Sequence, residues 1–300
     1  MSLLFPDITL PTTVVGSYPA VPGKGFSGIL DPYKHALRTA VSDQLAAGID
    51  IISDGQVRGD MVKIFTSRLP GVRGGDVIGK VAAPERPITL GDTRYAIGQA
   101  KRVKGIITGP TTLSFALHIA TPLYRDRTEL ALDLAQSLAS EASSLAAAGA
   151  SVIQIDEPIL STGIADIASA REALEVLVSR VNVPVCLHVC GDLTQVIGEL
   201  VRMPVGILDF EFAQSPENLA LCRELDFGKR MMGFGCVDSS SPVAETTETI
   251  RSRIETALTV FAPEQLLIDP DCGLRMLQRE VALLKLTRMV EAVREVRKDL

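Results

Sequence analysis

The chain has 300 residues, 46% of them apolar but only 4% aromatic and none Trp, so a large and mainly aliphatic core is available. Its formal net charge is -6 and no block of Lys and Arg stands out, which leaves nucleic acid or an anionic membrane without an electrostatic footprint and a small molecule as the expected ligand. The opening MSLLFPDITLPTT lacks a basic start and is broken by Pro6 and Pro11, and the most apolar long stretch, 130–150, carries Asp133 and Glu141; neither a signal peptide nor a membrane span is expected, and a cytoplasmic protein is.

Short apolar, β-branched runs recur along the chain, each ending in Gly, Asp, Glu or Cys before a helical pattern begins. In order they are 13–17 (TVVGS), 50–55, 103–109 (VKGIITG), 151–156 (SVIQID), 184–190 (PVCLHVC), 206–211 (GILDFE), 231–237 (MMGFGCV) and 265–269 (QLLID). Helical periodicity occupies 31–47, 129–149, 168–181, 194–202, 215–224, 246–261 and 276–297. Eight alternating units predict an α/β fold, a single (β/α)8 TIM barrel over residues 1–300, with a doubly wound open sheet as the alternative. The Gly- and Pro-rich stretch 66–100 is too long for an ordinary connection and is patterned as a hairpin insertion after strand 2. It would project over the barrel mouth as a lid, as a docking surface or as a structural insertion.

Barrel chemistry gathers at the C-terminal ends of the strands. Those ends carry Gly16-Ser17, Asp54-Gly55-Gln56, Gly109-Pro110-Thr111, Asp156-Glu157-Pro158, His188 with Cys190, Glu211, Cys236 with Asp238, and Asp271-Cys272-Gly273. In Cys186-Leu-His-Val-Cys190 the alternation of a strand turns positions 186, 188 and 190 to one side. At about 3.3 Å per residue Cys186 lies roughly 13 Å from Cys190 along the strand and cannot share an ion with it, whereas His188 and Cys190, roughly 7 Å apart, can. Cys186 is then a packing residue. Zinc takes about four ligands, and the remaining candidates are Glu211, Cys236 and Cys272.

Several segments resemble the zinc-bearing catalytic barrel of cobalamin-independent methionine synthase: TTVVGSYP, DGQVRGDMV, GPTTL, IQIDEP, HVC and DPDCGL, in the family's order over residues 12–274. The resemblance implies a short "core" form without the N-terminal folate-binding barrel of the long enzymes. It places one zinc ion on His188, Cys190, Glu211 and Cys272, leaving Cys236 out. It places homocysteine on Ser17 and Asp156, and makes Asp156 and Glu211 the expected catalytic carboxylates. A further substrate-binding acid of the family meets Gln56 here, with Asp54 or Asp60 as possible substitutes.

The implied activity is methyl transfer to the thiol of L-homocysteine, giving methionine. Two departures bear on the donor. The family's proton-donating His meets Ser240, and the Trp that stacks on folate meets Ala116. A folate amine leaves poorly without a proton, whereas cob(I)alamin leaves well, so methylcobalamin or a methylated corrinoid protein is the expected donor. The alternatives are a folate-dependent methionine synthase, a zinc methyltransferase for another thiol such as coenzyme M, and a non-catalytic zinc or thiol sensor. No role is assigned to Asp238 or Ser240. Asp92 and Asp209 are expected to be solvated or capping, His35 and His118 structural on helices, and Cys222 a core residue of a helix.

Overall fold

The computed structural model describes residues 4–21 and 31–300. In chain order the strands are β1 (Val72–Arg73), β2 (Asp76–Val77), β3 (Lys104–Thr108), β4 (His118–Ile119), β5 (Val152–Asp156), β6 (Val185–Val189), β7 (Ile207–Glu211), β8 (Met231–Val237) and β9 (Leu266–Pro270). Six of them form one parallel sheet in the order β3-β5-β6-β7-β8-β9. Its two edges are joined by shorter pieces. Thr12 bridges Ile268 on β9, Thr13 bridges Ile51, and Ile52 bridges Val103 next to β3, all parallel. Thr13 N–H donates to Ile268 O and Lys104 N–H to Ile52 O, each at 2.8 Å.

These eight segments make the (β/α)8 barrel. The first two are cut to bridges for local reasons. Pro11 has no N–H to give a ladder and Leu10 is left-handed at φ 49°, while Gly55 (φ 81°) and Gln56 (φ 42°) turn the chain away soon after Ile52.

Helices return the chain between strands: Tyr33–Ala47, Leu90–Ile97, Arg127–Ala147, Ile167–Val178, Ile197–Leu200, Glu217–Cys222, Thr247–Ala257 and Arg279–Asp299. Several begin on side-chain caps the sequence supplies, such as Asp126 accepting from Glu129 N–H and Asp166 from Ser169 N–H. The helices expected at 194–202 and 215–224 are shorter than their periodicity suggested. His118 sits on the exposed strand β4, where its Nδ1 is 3.0 Å from Asp76, and not on a helix. None of the described helices is long and apolar enough to cross a membrane.

The expected insertion is present. β1 and β2 form an antiparallel hairpin, and β2 pairs in parallel with β4. Beyond it, buried Glu141 accepts from the backbone of Ile88 and Thr89 at 2.6 and 2.8 Å, and the Tyr124 hydroxyl accepts from Val81 N–H at 2.7 Å. These bonds pin the stretch to the third unit of the barrel.

Strand alternation separates two cores. Outward residues such as Ile155, Leu187, Leu208 and Phe234 pack against the helices. Inward residues Ile51, Val152, Cys186, Ile207, Met231 and Leu267 meet Phe5 and form an apolar floor inside the barrel. Polar side chains lie over that floor. Lys104, buried, donates to Val14 O at 2.9 Å and to Gln154 Oε1 at 2.6 Å, while Asp209 and Asp269 are fully buried nearby in the interior.

Candidate active site

The C-terminal ends of β6 and β9 bring three soft ligands together. A ring nitrogen of His188 and the sulfurs of Cys190 and Cys272 all lie within 4.8 Å of one another, a group that is singular among the described residues. His188 is buried and neither ring nitrogen has a hydrogen-bond partner. An imidazole left so is costly unless something else takes its lone pair. Two sulfurs and one imidazole suit zinc, so the residues fit the ion. The closeness of the Cys190 thiol, against the opposing effect of burial, holds the Cys272 pKa well below the usual thiol range; the same closeness, followed by burial, pushes Cys190 up.

Glu211 stands beside this group without joining it. One oxygen accepts from the Ser215 hydroxyl at 2.8 Å and the other from Gly191 N–H, next to Cys190, at 3.2 Å. Asn218 ties the two loops together, donating to Gly191 O at 2.9 Å and Glu211 O at 2.8 Å and accepting from Leu193 N–H at 3.1 Å. Asp271 ties β9 to the turn after β7 through the N–H groups of residues 212–214, and burial pushes its carboxyl up to about 7.

The predicted substrate residues line the same mouth. Asp156 is the register partner of His188 on the adjacent strand. Its Oδ1 accepts from Gln154 Nε2 at 2.6 Å, and burial, partly offset by His188 and that hydrogen bond, pushes its pKa to about 6. Ser17 packs against Gly273, where a Cβ would collide with its hydroxyl, and its carbonyl accepts from Leu274 N–H at 2.8 Å. Gln56 is buried, its Nε2 has no hydrogen-bond partner, and a Cβ on Gly16 would stand 3.4 Å from its Oε1. Asp54 is also buried and reaches about 6, but its oxygens are taken by Gln56 N–H at 2.9 Å and Thr93 Oγ1 at 3.0 Å. Asp60 caps the helix Met61–Thr66. Both substitutes proposed for Gln56 thus have structural duties.

Alternation settles the other cysteines. Cys186 lies in the barrel floor and Cys222 in a helix of the outer core. Cys236 also faces the outer core, because it is Gly235 that points inward on β8.

Asp209 corrects an expectation. It is fully buried inside the barrel, not solvated, with Oδ1 3.3 Å from His188 Nδ1, close but off hydrogen-bond alignment. Burial works against its charge, but His188 outweighs that and keeps it ionised; facing it, Asp269 is pushed well up by burial and by Asp209. The signal was in the sequence: Asp209 is two residues before Glu211, hence on the same side of the strand. Lys104 and Gln154, two before Ile106 and Asp156, follow the same rule.

Residues 10–295 match the family model of the cobalamin-independent synthase catalytic domain. The chain belongs to this family. A methionine synthase of Methanothermobacter marburgensis is 45% identical over 95% of this chain and 99% of its own length. One from Methanocaldococcus jannaschii is 41% identical over 95% and 99%, and one from Saccharolobus solfataricus 32% over 97% and 96%. Among solved structures, a B12-independent methionine synthase from Shewanella sp. W3-18-1, in complex with selenomethionine, superposes with a TM-score of 0.88 at 24% identity, covering 97% of this chain and 99% of that one. Its fold is the fold described above. The cobalamin-independent synthase catalytic domain is therefore here one barrel whose mouth holds the His188, Cys190 and Cys272 cluster.

Proposed function

We propose that the chain transfers a methyl group to the thiol of L-homocysteine, forming methionine, with one zinc ion held by His188, Cys190, Cys272 and Glu211. The observation that carries the reading is the buried His188, Cys190 and Cys272 group with an ionisable carboxyl, Asp156, in register beside it. Its relatives named as methionine synthases support the same substrate.

Asp156 is mostly ionised at neutral pH and offers a carboxylate to the substrate ammonium. Because it neighbours His188 across one strand spacing, it sets the amino-acid end close to the cluster that faces the sulfur. Ser17 would receive the substrate carboxylate, and the Gln56 amide, with Nε2 free, supplies a neutral contact beside it. Zinc, when bound, keeps the substrate thiol as a thiolate at neutral pH. Glu211 would be the hardest donor of the set, and Ser215 and Gly191 already hold its two oxygens beside the cluster. The new bond joins sulfur to the methyl carbon, and the electron pair of the broken bond stays with the donor.

For the donor we propose methylcobalamin or a methylated corrinoid protein. Ser240, exposed, only hydrogen-bonds Gln214 and Asp238, at 2.9 and 2.7 Å. Asp238 is itself no acid: burial opposes its charge, but hydrogen bonds from Ser240 and Ser241 keep its pKa below the usual carboxylate value. A leaving group that needs no proton suits such a loop. Purified enzyme with zinc, offered homocysteine with methylcobalamin or with methyltetrahydrofolate, tests both parts. Methionine from methylcobalamin is expected; efficient turnover with the folate alone overturns the donor, and no methionine with any donor overturns the activity.

A further inference from the structure

Asp209 occupies the position between His188 on β6 and Gly233 on β8, paired in register with both. A carboxylate buried inside a barrel is expensive and persists where a partner needs it. One partner is evident. Oδ1 is 3.3 Å from His188 Nδ1, and Oδ2 is 3.9 Å from the Cys186 sulfur. The side chain reaches this place only because β8 offers no side chain there. A Cβ on Gly233 would stand 2.7 Å from both Cβ and Cγ of Asp209 and 2.9 Å from Oδ1. Asp209 thus leans over a bare stretch of β8 backbone with Asp269 facing it, and Gly233 cannot gain a methyl group without moving it.

Resting on the zinc reading above, we propose that Asp209 is a positioning residue for the metal ligand His188. Its carboxylate accepts the Nδ1–H, after a small rotation of the ring that aligns the contact, and so fixes the tautomer that leaves Nε2 for the ion. Nε2 is buried and without any other partner. Carboxylates that orient a ligating imidazole raise its basicity and are worth about 10–100-fold in metal affinity. Gly233 is part of the same device, since it keeps open the space the carboxylate fills.

The test measures zinc affinity by competition with a chromogenic chelator and records the absorption spectrum of the cobalt(II)-substituted protein, for the parent enzyme, Asp209→Asn and Gly233→Ala. Near-UV circular dichroism checks that each is folded. Both variants are expected to hold zinc about 10–100-fold more weakly and to alter the cobalt ligand-field bands, Gly233→Ala doing so with no polar group removed. Should Asp209→Asn fail to fold, Gly233→Ala decides alone. Zinc affinity within twofold of the parent, or a lowered melting temperature with an unchanged cobalt spectrum, overturns the positioning role while leaving the zinc site standing. A parent enzyme that takes up no zinc overturns the zinc reading and this role with it.

Discussion

The Asp271 carboxylate accepts a hydrogen bond from the Phe212 backbone, 59 positions away in the chain, at 3.0 Å. It also takes the N–H groups of Ala213 and Gln214, at 2.8 and 2.9 Å, so one side chain fixes the turn that follows Glu211 to the residue preceding Cys272. Asp271→Ala leaves three donors without their acceptor. At about 1–3 kcal/mol for each buried group left unpaired, less where water reaches it, a loss of about 2–4 kcal/mol is expected in urea denaturation. Asp271→Asn, which keeps one acceptor oxygen, should lose less. An Ala variant as stable as the parent would show that the turn holds itself.

The three cysteines near β6 and β9 should separate by metal content. Cys190→Ala and Cys272→Ala are expected to lose tightly bound zinc, measured by atomic emission after gel filtration. Cys186→Ala is expected to keep it, because that side chain lies in the apolar floor of the barrel. Its cost appears in stability alone, at about 1 kcal/mol for a small buried group removed. Zinc loss in Cys186→Ala would mean the floor and the site are not independent.

Asp156→Asn should weaken homocysteine use. Removing one partner of a buried charge pair costs about 2–5 kcal/mol, so kcat/KM is expected to fall by about 30-fold or more. A thiol substrate of similar length without an ammonium should be indifferent to the change. The ionised form binds the ammonium, so in the parent KM for homocysteine should rise as pH falls through about 6, and Asp156→Asn should lack that step. Equal losses for both thiols would remove Asp156 from ammonium recognition.

Asp54 predicts a pH dependence of stability with a definite sign. Burial raises its pKa from 3.8 to about 6, so the folded chain holds a proton that the unfolded chain has released between those values. Stability from this group is greatest below about 4 and is lost as pH rises towards 6, by up to about 3 kcal/mol. Asp54→Asn can still accept from Gln56 N–H and can donate to Thr93 Oγ1, whose proton then turns from residue 54 to Thr89 O at 3.2 Å. The variant should therefore be more stable than the parent at pH 7.5 and equal to it near pH 4. Melting temperatures across that range check the crossing, and a constant difference would contradict it.

Gln56 is one of two described non-glycine residues with a left-handed backbone, at φ 42°. There the usual preference for Ala over Gly should reverse. With the amide lost in both, Gln56→Gly is expected to be about 1 kcal/mol more stable than Gln56→Ala, since only Gly adopts that region without strain. Denaturation midpoints of the pair measure it.

The sequence by itself determined the eight units, because β-branched runs and helical periods record which faces must be buried, and buried faces have a fixed period. It also reduced Cys186-Leu-His-Val-Cys190 to two candidate ligands and a packing cysteine, since rise per residue is a local quantity. What lies between segments was decided only by the closed barrel. The meeting of Cys272 with His188 and Cys190 depends on β6 and β9 facing one mouth; strand ends made Cys272 one of three candidates, and among these the sequence chose only through resemblance. Asp209 looked like a surface acid because charge usually means solvent, and only closure of the ring put it inside against His188. Cys236 stood as a strand-end candidate that only the resemblance left out, and the register of β8 gives the physical reason by turning it outward. Strand and helix patterns are written in neighbours along the chain, whereas a site is written in neighbours across strands, and those exist only once the barrel has closed.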